Sequence, residues 1–400
     1  ATAASTLPPR QLARIHLSGS GERAGAPRRM AVAMAARERR RGQLQTKRMP
    51  DYPMPVGQQF CVLGGGSFGL GIAHVLANKG IATTVVLRKE ETAKFMNTEH
   101  RHPRYLSDLT LNPTIFYTAD HKTALQEATY IVHAVPVQFT RDYLKKVRKH
   151  IPPGTPVMSI SKGIETKSLS LMCEVLEDLL GDQRSYAYLS GPSFAREILE
   201  GMATAVVVAS EDQALAADLS KFLSSEDFRV FTTTDVVGVE VGGAVKNVLA
   251  LAAGMSDGLG LGSNALAALV TRGLVEMRRV STFLGGRSST LSGLSGCGDT
   301  FLTCFGPLSR NRNFGLRLGK GERLKDILES TTEVAEGVET AMALAKLIKK
   351  SDKSFRSDLK YPIIFGVAQV LEGKMTPEQG LNQIMTMPLR NEAYDFDFDE

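Results

Sequence analysis

The stretch QFCVLGGGSFGLGIAHVLANKG, Gln59 to Gly80, decides the fold. FCVL reads as a short buried strand. Gly64, Gly66 and Gly69 follow as a G-x-G-x-x-G turn. Leu70, Ile72, Ala73, Val75, Leu76 and Ala77 then recur along one helix face, and Gly80 ends it. TTVVL, from Thr83, is the next strand. In this strand–turn–helix setting the three glycines read as a dinucleotide cradle. Gly64 permits the tight turn, Gly66 lets the backbone approach a pyrophosphate, and Gly69 lets helix and strand pack closely. The helix N-terminus then faces the phosphates.

Working outward, further strands read at YIVHAVP from Tyr130, VMSIS from Val157, YAYLSGP from Tyr186 and ATAVVVAS from Ala203. Helical stretches such as LSLMCEVLEDLL lie between most of them, and alternation of this kind implies a doubly wound parallel sheet. After about Asp235 the texture becomes helical with glycine breaks, and the second domain is expected to be all-α. The expected organisation is a basic extension over 1–55, a dinucleotide-binding α/β domain over 56–237, an all-helical domain over 238–385 and an acidic tail over 386–400.

The net charge of +6 belongs to the extension. Residues 1–50 hold ten arginines and one lysine against Glu22 and Glu38, a local +9 that leaves −3 for the remainder. The folded part therefore offers no electrostatic case for nucleic acid. The Arg-, Ala- and Ser-rich extension has the composition of an organelle transit peptide, with plastid favoured over mitochondrion. No run approaches the roughly 18–20 apolar residues that span a bilayer. Cys61, Cys173, Cys297 and Cys304 are scattered and form neither a disulfide framework nor a metal knuckle, so no metal site is expected.

Lys246 stands out in GGAVKNVLALAAG, Gly242 to Gly254, where almost nothing else is polar. Such a lysine either snorkels to the surface or sits desolvated for a purpose. VPVQF (135–139), SKGIE (161–165) and SGPSFA (190–195) occupy strand ends, where an open α/β sheet presents its ligand crevice. Lys162 could there reach an anionic or carbonyl oxygen. The second strand ends Leu87-Arg88-Lys89 in place of an acid, which would tolerate a 2′-phosphate on the cofactor. Asp299, after a glycine-rich loop, reads first as a helix N-cap. Arg310, Asn311 and Arg312 at another helical start suit a phosphate.

Taken together, Gly64–Gly69, Ser161-Lys162-Gly163, Gly191-Pro192-Ser193-Phe194-Ala195, Gly242-Gly243-Ala244-Val245-Lys246-Asn247, Gly298-Asp299 and Ser309-Arg310-Asn311-Arg312 stand in a familiar order. From about residue 58 to about 385 the chain resembles the NAD(P)-dependent glycerol-3-phosphate dehydrogenases, especially their bacterial and plastid type. The resemblance implies a Rossmann-like N-terminal domain with a doubly wound, mainly parallel sheet, followed by an all-α C-terminal domain. It implies reversible hydride transfer between NAD(H) or NADP(H) and dihydroxyacetone phosphate to give sn-glycerol 3-phosphate, a supply for glycerolipid synthesis, by a homodimer.

Carried over by motif, the resemblance makes Lys246 and Asp299 catalytic. Lys162, Gly191, Ser193, Lys246, Asp299, Ser309, Arg310 and Asn311 become substrate contacts. Gly64, Gly66, Ser67, Phe68, Gly69, Arg88, Lys162, Ala195, Arg310, Val334 and Glu336 become cofactor contacts. Phe68 stands where Trp or Tyr is more usual in the family, and Gly65 where alanine is frequent. On the residues alone two rivals stay open. One is a related dehydrogenase acting on a 3-hydroxyacyl thioester or 6-phosphogluconate. The other is a catalytically silent NAD(P)H-binding protein.

Overall fold

A computed structural model describes residues 57–331, 335–351 and 357–387. The basic extension, Val334 and the tail from residue 388 lie outside the described residues. Eight strands form one sheet in the order β3-β2-β1-β4-β5-β6-β7-β8. They are β1 (Gln59–Leu63), β2 (Ala82–Val86), β3 (Phe116–Thr118), β4 (Tyr130–His133), β5 (Val157–Ser159), β6 (Tyr186–Ser190), β7 (Thr204–Ala209) and β8 (Phe228–Thr233). Helix α1 (Ser67–Asn78) follows β1 directly, and α2 (Glu90–Glu99), α3 (His121–Gln126), α4 (Val137–Val147), α5 (Met172–Leu180) and α7 (Gln213–Leu223) are the other long connections. Apolar residues of the sheet and these helices pack into two clusters, one around Phe60, Leu76 and Phe222 and one around Leu63, Leu144 and Leu176.

All neighbouring strands run parallel except β6 and β7. The break from the expected parallel sheet follows from the connection. Between β6 and β7 lies only α6 (Ala195–Leu199), five residues long. Its rise of about 7 Å is too short to carry the chain back along a strand, so β7 starts at the edge where β6 ends. Strands β3 and β8 do not stand out in the sequence because each is an edge strand with half its residues turned to water.

The register brings the ends of the central strands level, with Leu63 opposite both Val86 and His133, and Ser159 opposite His133 and Tyr188. The loops after β1, β4, β5 and β6 therefore open at one edge, beside the reversal of strand order at β1.

The helical part begins at Asp235. Its carboxylate accepts the N–H groups of Gly238 and Arg287, both at 3.0 Å, and so starts α8 (Val236–Gly258). Helices α9 (Gly262–Phe283), α10 (Asp299–Phe305), α11 (Arg310–Gly319), α12 (Leu324–Ser330), α13 (Glu336–Ser351), α14 (Ser357–Lys360), α15 (Pro362–Leu371) and α16 (Pro377–Met385) follow. Contrary to the sequence expectation, α8 is long and apolar enough to cross a bilayer by length and composition. Most of it is buried inside the protein against α9, α10, α11, α13 and β6, so its apolar surface is that of a core helix.

Helices α8 and α11 meet through glycines. A methyl on Gly254 would overlap the carbonyl oxygen of Arg312, one on Gly315 would overlap that of Leu251, and Gly258 faces Gly319. The two G-x-x-x-G pairs thus let the backbones touch. Substituting Gly254 with alanine is expected to lower the unfolding free energy by about 1–3 kcal/mol through this overlap. The methyl of Gly366→Ala on α15 meets none of the described residues within 4 Å, and that substitution is expected to be neutral or stabilising by about 0.5–1 kcal/mol. Urea unfolding of the two variants checks the pair.

Candidate active site

A cleft of about 460 Å³ opens at the level strand ends and is walled on its far side by α8, α11 and the start of α13. Its floor is the glycine loop. Gly64 has φ +116°, and a side chain there would press on the Ala134 carbonyl at 2.7 Å. Gly66 faces open space, and α1 begins on it without any side-chain cap. Its first-turn N–H groups are thus left for a ligand, the donor set a pyrophosphate requires. Gly65 packs against the Leu87 side chain, which fills the place of the methyl that alanine would supply.

The loops after β4 and β5 are tied to one another. Ser161 Oγ donates to the Val135 carbonyl at 2.6 Å, and Gln138 Nε2 donates to that of Ile164 at 2.8 Å. Beneath them the His133 ring lies between the hydroxyls of Thr140 and Ser159, each at 3.2 Å. Burial pushes its pKa down to about 4, so it is neutral and acts as a hydrogen-bonded support.

At the centre of the cleft wall one carboxylate serves two lysines. Lys246 Nζ lies 2.5 Å from Asp299 Oδ1, and Lys162 Nζ lies 2.7 Å from Oδ2. Lys246 also donates to Thr303 Oγ1 at 3.1 Å, and that hydroxyl donates to the Asp299 carbonyl at 2.6 Å. Lys162 makes a longer contact of 3.4 Å to the Gly191 carbonyl and stands 5.6 Å from the Phe68 ring centroid. Lys246 is 7% exposed and Asp299 1%, and it is the two lysines that face the cleft.

Burial pulls the Lys246 pKa down to about 8, and the Lys162 ammonium adds to the lowering, while Asp299 works against it. Of the two opposed effects legible in the sequence, desolvation therefore wins. For Asp299, burial raises the pKa but the two ammonium groups outweigh it, and the carboxyl stays below its ordinary range.

Asp299 is not a helix N-cap. A π-helical turn, Leu294–Gly298, runs straight into α10, so the backbone before Asp299 is already helical and its carboxylate is free for the lysines. Ser309 does cap its helix, accepting the Arg312 N–H at 3.2 Å. Arg310 faces the cleft, whereas Arg312 turns away to pair with Asp257 at 2.6 Å. Asn311 lines the cleft and uses Oδ1 to accept the Gly337 N–H at 3.0 Å, which holds the start of α13. Glu336, half-buried there, lies near Arg310; burial raises its pKa against the pull of Arg310.

Gly66, Ser67, Phe68, Gly69, Ser193 and Ala195 also line the cleft. Gly64 lies beneath the loop, Gly191 behind Lys162, and Arg88 is exposed just past β2. Val334 is outside the described residues. Sequence reasoning did not single out Thr303, four residues after Asp299 and hence on its helix face, nor Asn247 beside Lys246.

A mainly parallel sheet with a glycine cradle beside a buried lysine–carboxylate pair defines a nicotinamide-dinucleotide-dependent dehydrogenase. The comparisons with known proteins give the particular kind. Residues 59–216 match the N-terminal and 235–382 the C-terminal model of NAD-dependent glycerol-3-phosphate dehydrogenase. The chain is 42% identical over 330 residues, 82% of its length and 77% of the relative's, to the chloroplastic glycerol-3-phosphate dehydrogenase [NAD(+)] 2 of Arabidopsis thaliana. It is 45% identical over 335 residues to the glycerol-3-phosphate dehydrogenase [NAD(P)+] of Nitratidesulfovibrio vulgaris, covering 84% of this chain and all of that one. The glycerol-3-phosphate dehydrogenase structure from Coxiella burnetii superposes with a TM-score of 0.78 at 35% identity, over 83% of this chain and all of that one. The chain belongs to the NAD-dependent glycerol-3-phosphate dehydrogenase family.

The Lys246 amine should half-titrate near pH 8 when its reactivity with acetic anhydride is followed across pH. In Asp299→Asn the midpoint should fall further, because a neutral amide leaves the Lys162 charge unopposed. A wild-type midpoint at the ordinary lysine value would show that desolvation does not dominate.

Proposed function

We propose that this chain interconverts dihydroxyacetone phosphate and sn-glycerol 3-phosphate with NAD(H) or NADP(H), Lys246 moving the proton. The observation that carries the reading is the buried Lys246 amine, held by Asp299 in a cleft that also presents Arg310 and the glycine cradle. The nicotinamide cofactor, when bound, supplies or takes up the hydride. The α1 N-terminus with Gly66 would hold its pyrophosphate, and Phe68, Ala195 and Glu336 would line its path. Arg88, exposed at the end of β2, would meet the adenosine ribose or its 2′-phosphate.

The substrate phosphate would lie against Arg310, Asn311 and the α11 N-terminus, with Ser193 and Ser309 at its sides. As negative charge grows on the C2 oxygen, Lys246 gives it a proton, and a pKa of about 8 makes that transfer favourable near neutral pH. Lys162 brings a second positive charge to the same oxygen or to the phosphate. Asp299 keeps both amines aimed, and Thr303 fixes the direction of Lys246. In the reverse direction the neutral amine takes the proton from the alcohol.

The division into a cofactor domain over 56–237 and a substrate domain over 238–385 is part of this reading, since Lys162 comes from the first and Lys246 from the second. The homodimer is also proposed; light scattering would test it. The basic composition of residues 1–50 and the chloroplastic relative support a plastid address, with the stroma as the compartment.

Purified protein given dihydroxyacetone phosphate should oxidise NADH or NADPH. Lys246→Met should lower kcat by about 10²–10⁴-fold, with the dissociation constant for NADH changed little. Arg88→Ala should raise the KM for NADPH by about tenfold, the worth of one charge-assisted hydrogen bond, and move that for NADH much less. A folded protein that binds NADH without turning over any triose phosphate would instead identify a silent sensor.

A further inference from the structure

A second cavity of about 10 Å³ shares Ser161 and Lys162 with the cleft. It sits where the loop after β5, the end of β6 and the first half of α8 meet, and its lining mixes the polar residues Ser159, Ser161, Lys162, Tyr188, Ser190 and Glu240 with glycine and apolar ones. The volume is that of about one water molecule. Two of its lining residues carry buried hydroxyls, Tyr188 OH and Ser190 Oγ, that have no hydrogen-bond partner among the described residues. The residues are 4% and 2% exposed. A buried hydroxyl left unpaired is costly, and native proteins answer such sites with ordered water. The Glu240 carboxyl accepts the Cys173 N–H at 3.2 Å and also meets the Cys173 thiol and the Met172 N–H, with burial raising its pKa to about 7; its two oxygens still leave room for a bond to water.

The cavity is joined to the reacting groups by short steps. A methyl on Gly243 would lie 3.1 Å from Ser190 Oγ and 3.4 Å from Lys162 Cγ, so the hydroxyl and the lysine stem share the same narrow space. The next residue after Ser190 is Gly191, whose carbonyl is the 3.4 Å contact of Lys162 Nζ. Whatever sets the rotamer of Ser190 and the position of the β6 end also sets where Lys162 can point.

We propose that one ordered water fills this cavity, bonded by Tyr188, Ser190 and Glu240, and that Tyr188 and Glu240 thereby act as positioning residues for Lys162. The role in catalysis rests on the proposed dehydrogenase reaction; the water does not. With three polar partners the water satisfies both hydroxyls and links β6 to α8. Lys162 then meets substrate from a fixed stem.

Two measurements separate the claims. A crystal structure of the wild-type protein at a resolution that shows ordered water should place one water within hydrogen-bond distance of Tyr188 OH and Ser190 Oγ. A dry cavity, or hydroxyls paired to other protein groups, overturns the proposal whether or not the protein turns over triose phosphate. In the second, Tyr188→Phe combined with Glu240→Gln should lower kcat/KM for dihydroxyacetone phosphate by about tenfold or more through misplacement of Lys162. The dissociation constant of NADH and the unfolding midpoint should stay near wild type, a split that loss of structure would not produce. Wild-type kcat and KM in this double variant overturn the positioning role. Should the variant fail to fold, the crystallographic water still decides the first claim, and Tyr188→Phe alone, read for the same split, decides the second.

Discussion

One carboxylate holding two lysines is the interaction on which this structure turns. A carboxylate as buried as Asp299 stays ionised only if cations meet it at bonding distance, and here both of its oxygens are so met. Removing Asp299 would leave the two ammonium groups uncompensated, at a cost of about 3–5 kcal/mol. The cluster is also unbalanced by design of its composition, with two ammonium groups against one carboxylate. The surplus positive charge faces the cleft, where it favours an anionic ligand and the negative charge that develops on a reduced carbonyl. Burial lowers the Lys246 pKa to about 8, and the Lys162 charge adds to that lowering.

Bonding distance across this cluster requires three elements to converge: the loop after β5, α8 and α10. That is possible because α8 presents bare backbone where it meets its neighbours. A side chain at Gly242 would stand 2.5 Å from the Ser295 carbonyl, and one at Gly243 would press on Ser190 and Lys162. About three to four turns further along, Gly254 and Gly258 admit α11 to the same closeness. The N-terminus of α11 carries Arg310, so this glycine contact helps set how far the arginine stands from Lys246. Fold and site thus depend on the same positions, and the helix that bears Lys246 is almost wholly buried for that reason.

Much of this was legible in advance, and the reasons differ by element. The β1–loop–α1 unit is local: its strand, turn and helix signals lie within about twenty residues and agree with one another. Buried strands such as Val157–Ser159 announce themselves by apolar runs. The edge strands β3 and β8 do not, because half their side chains meet water. The strand β7 is legible but its antiparallel direction is not, because strand direction depends on how far a connection travels. The apolar length of α8 is hidden in the sequence because glycine and alanine separate its larger apolar residues. Asp299 resembled an N-cap because Gly-Asp before an apolar run is the usual signal; a π-helical turn ahead of it removed that role.

Sequence by itself determined the class of sheet, the dinucleotide cradle, the helical second half and the short list of polar residues able to do chemistry. Those properties follow from hydrophobic period, glycine placement and residue type, all of which act over a few neighbours. Only the tertiary structure decided how the list divides. It turned Arg310 into the cleft and Arg312 onto Asp257, added Thr303 as a partner of Lys246, and set Asp299 beneath the two lysines. It also decided the contest over the Lys246 pKa in favour of burial. The physical reason is that desolvation and charge pairing depend on distances of a few ångströms between residues up to 137 positions apart in the chain, and no local pattern encodes those.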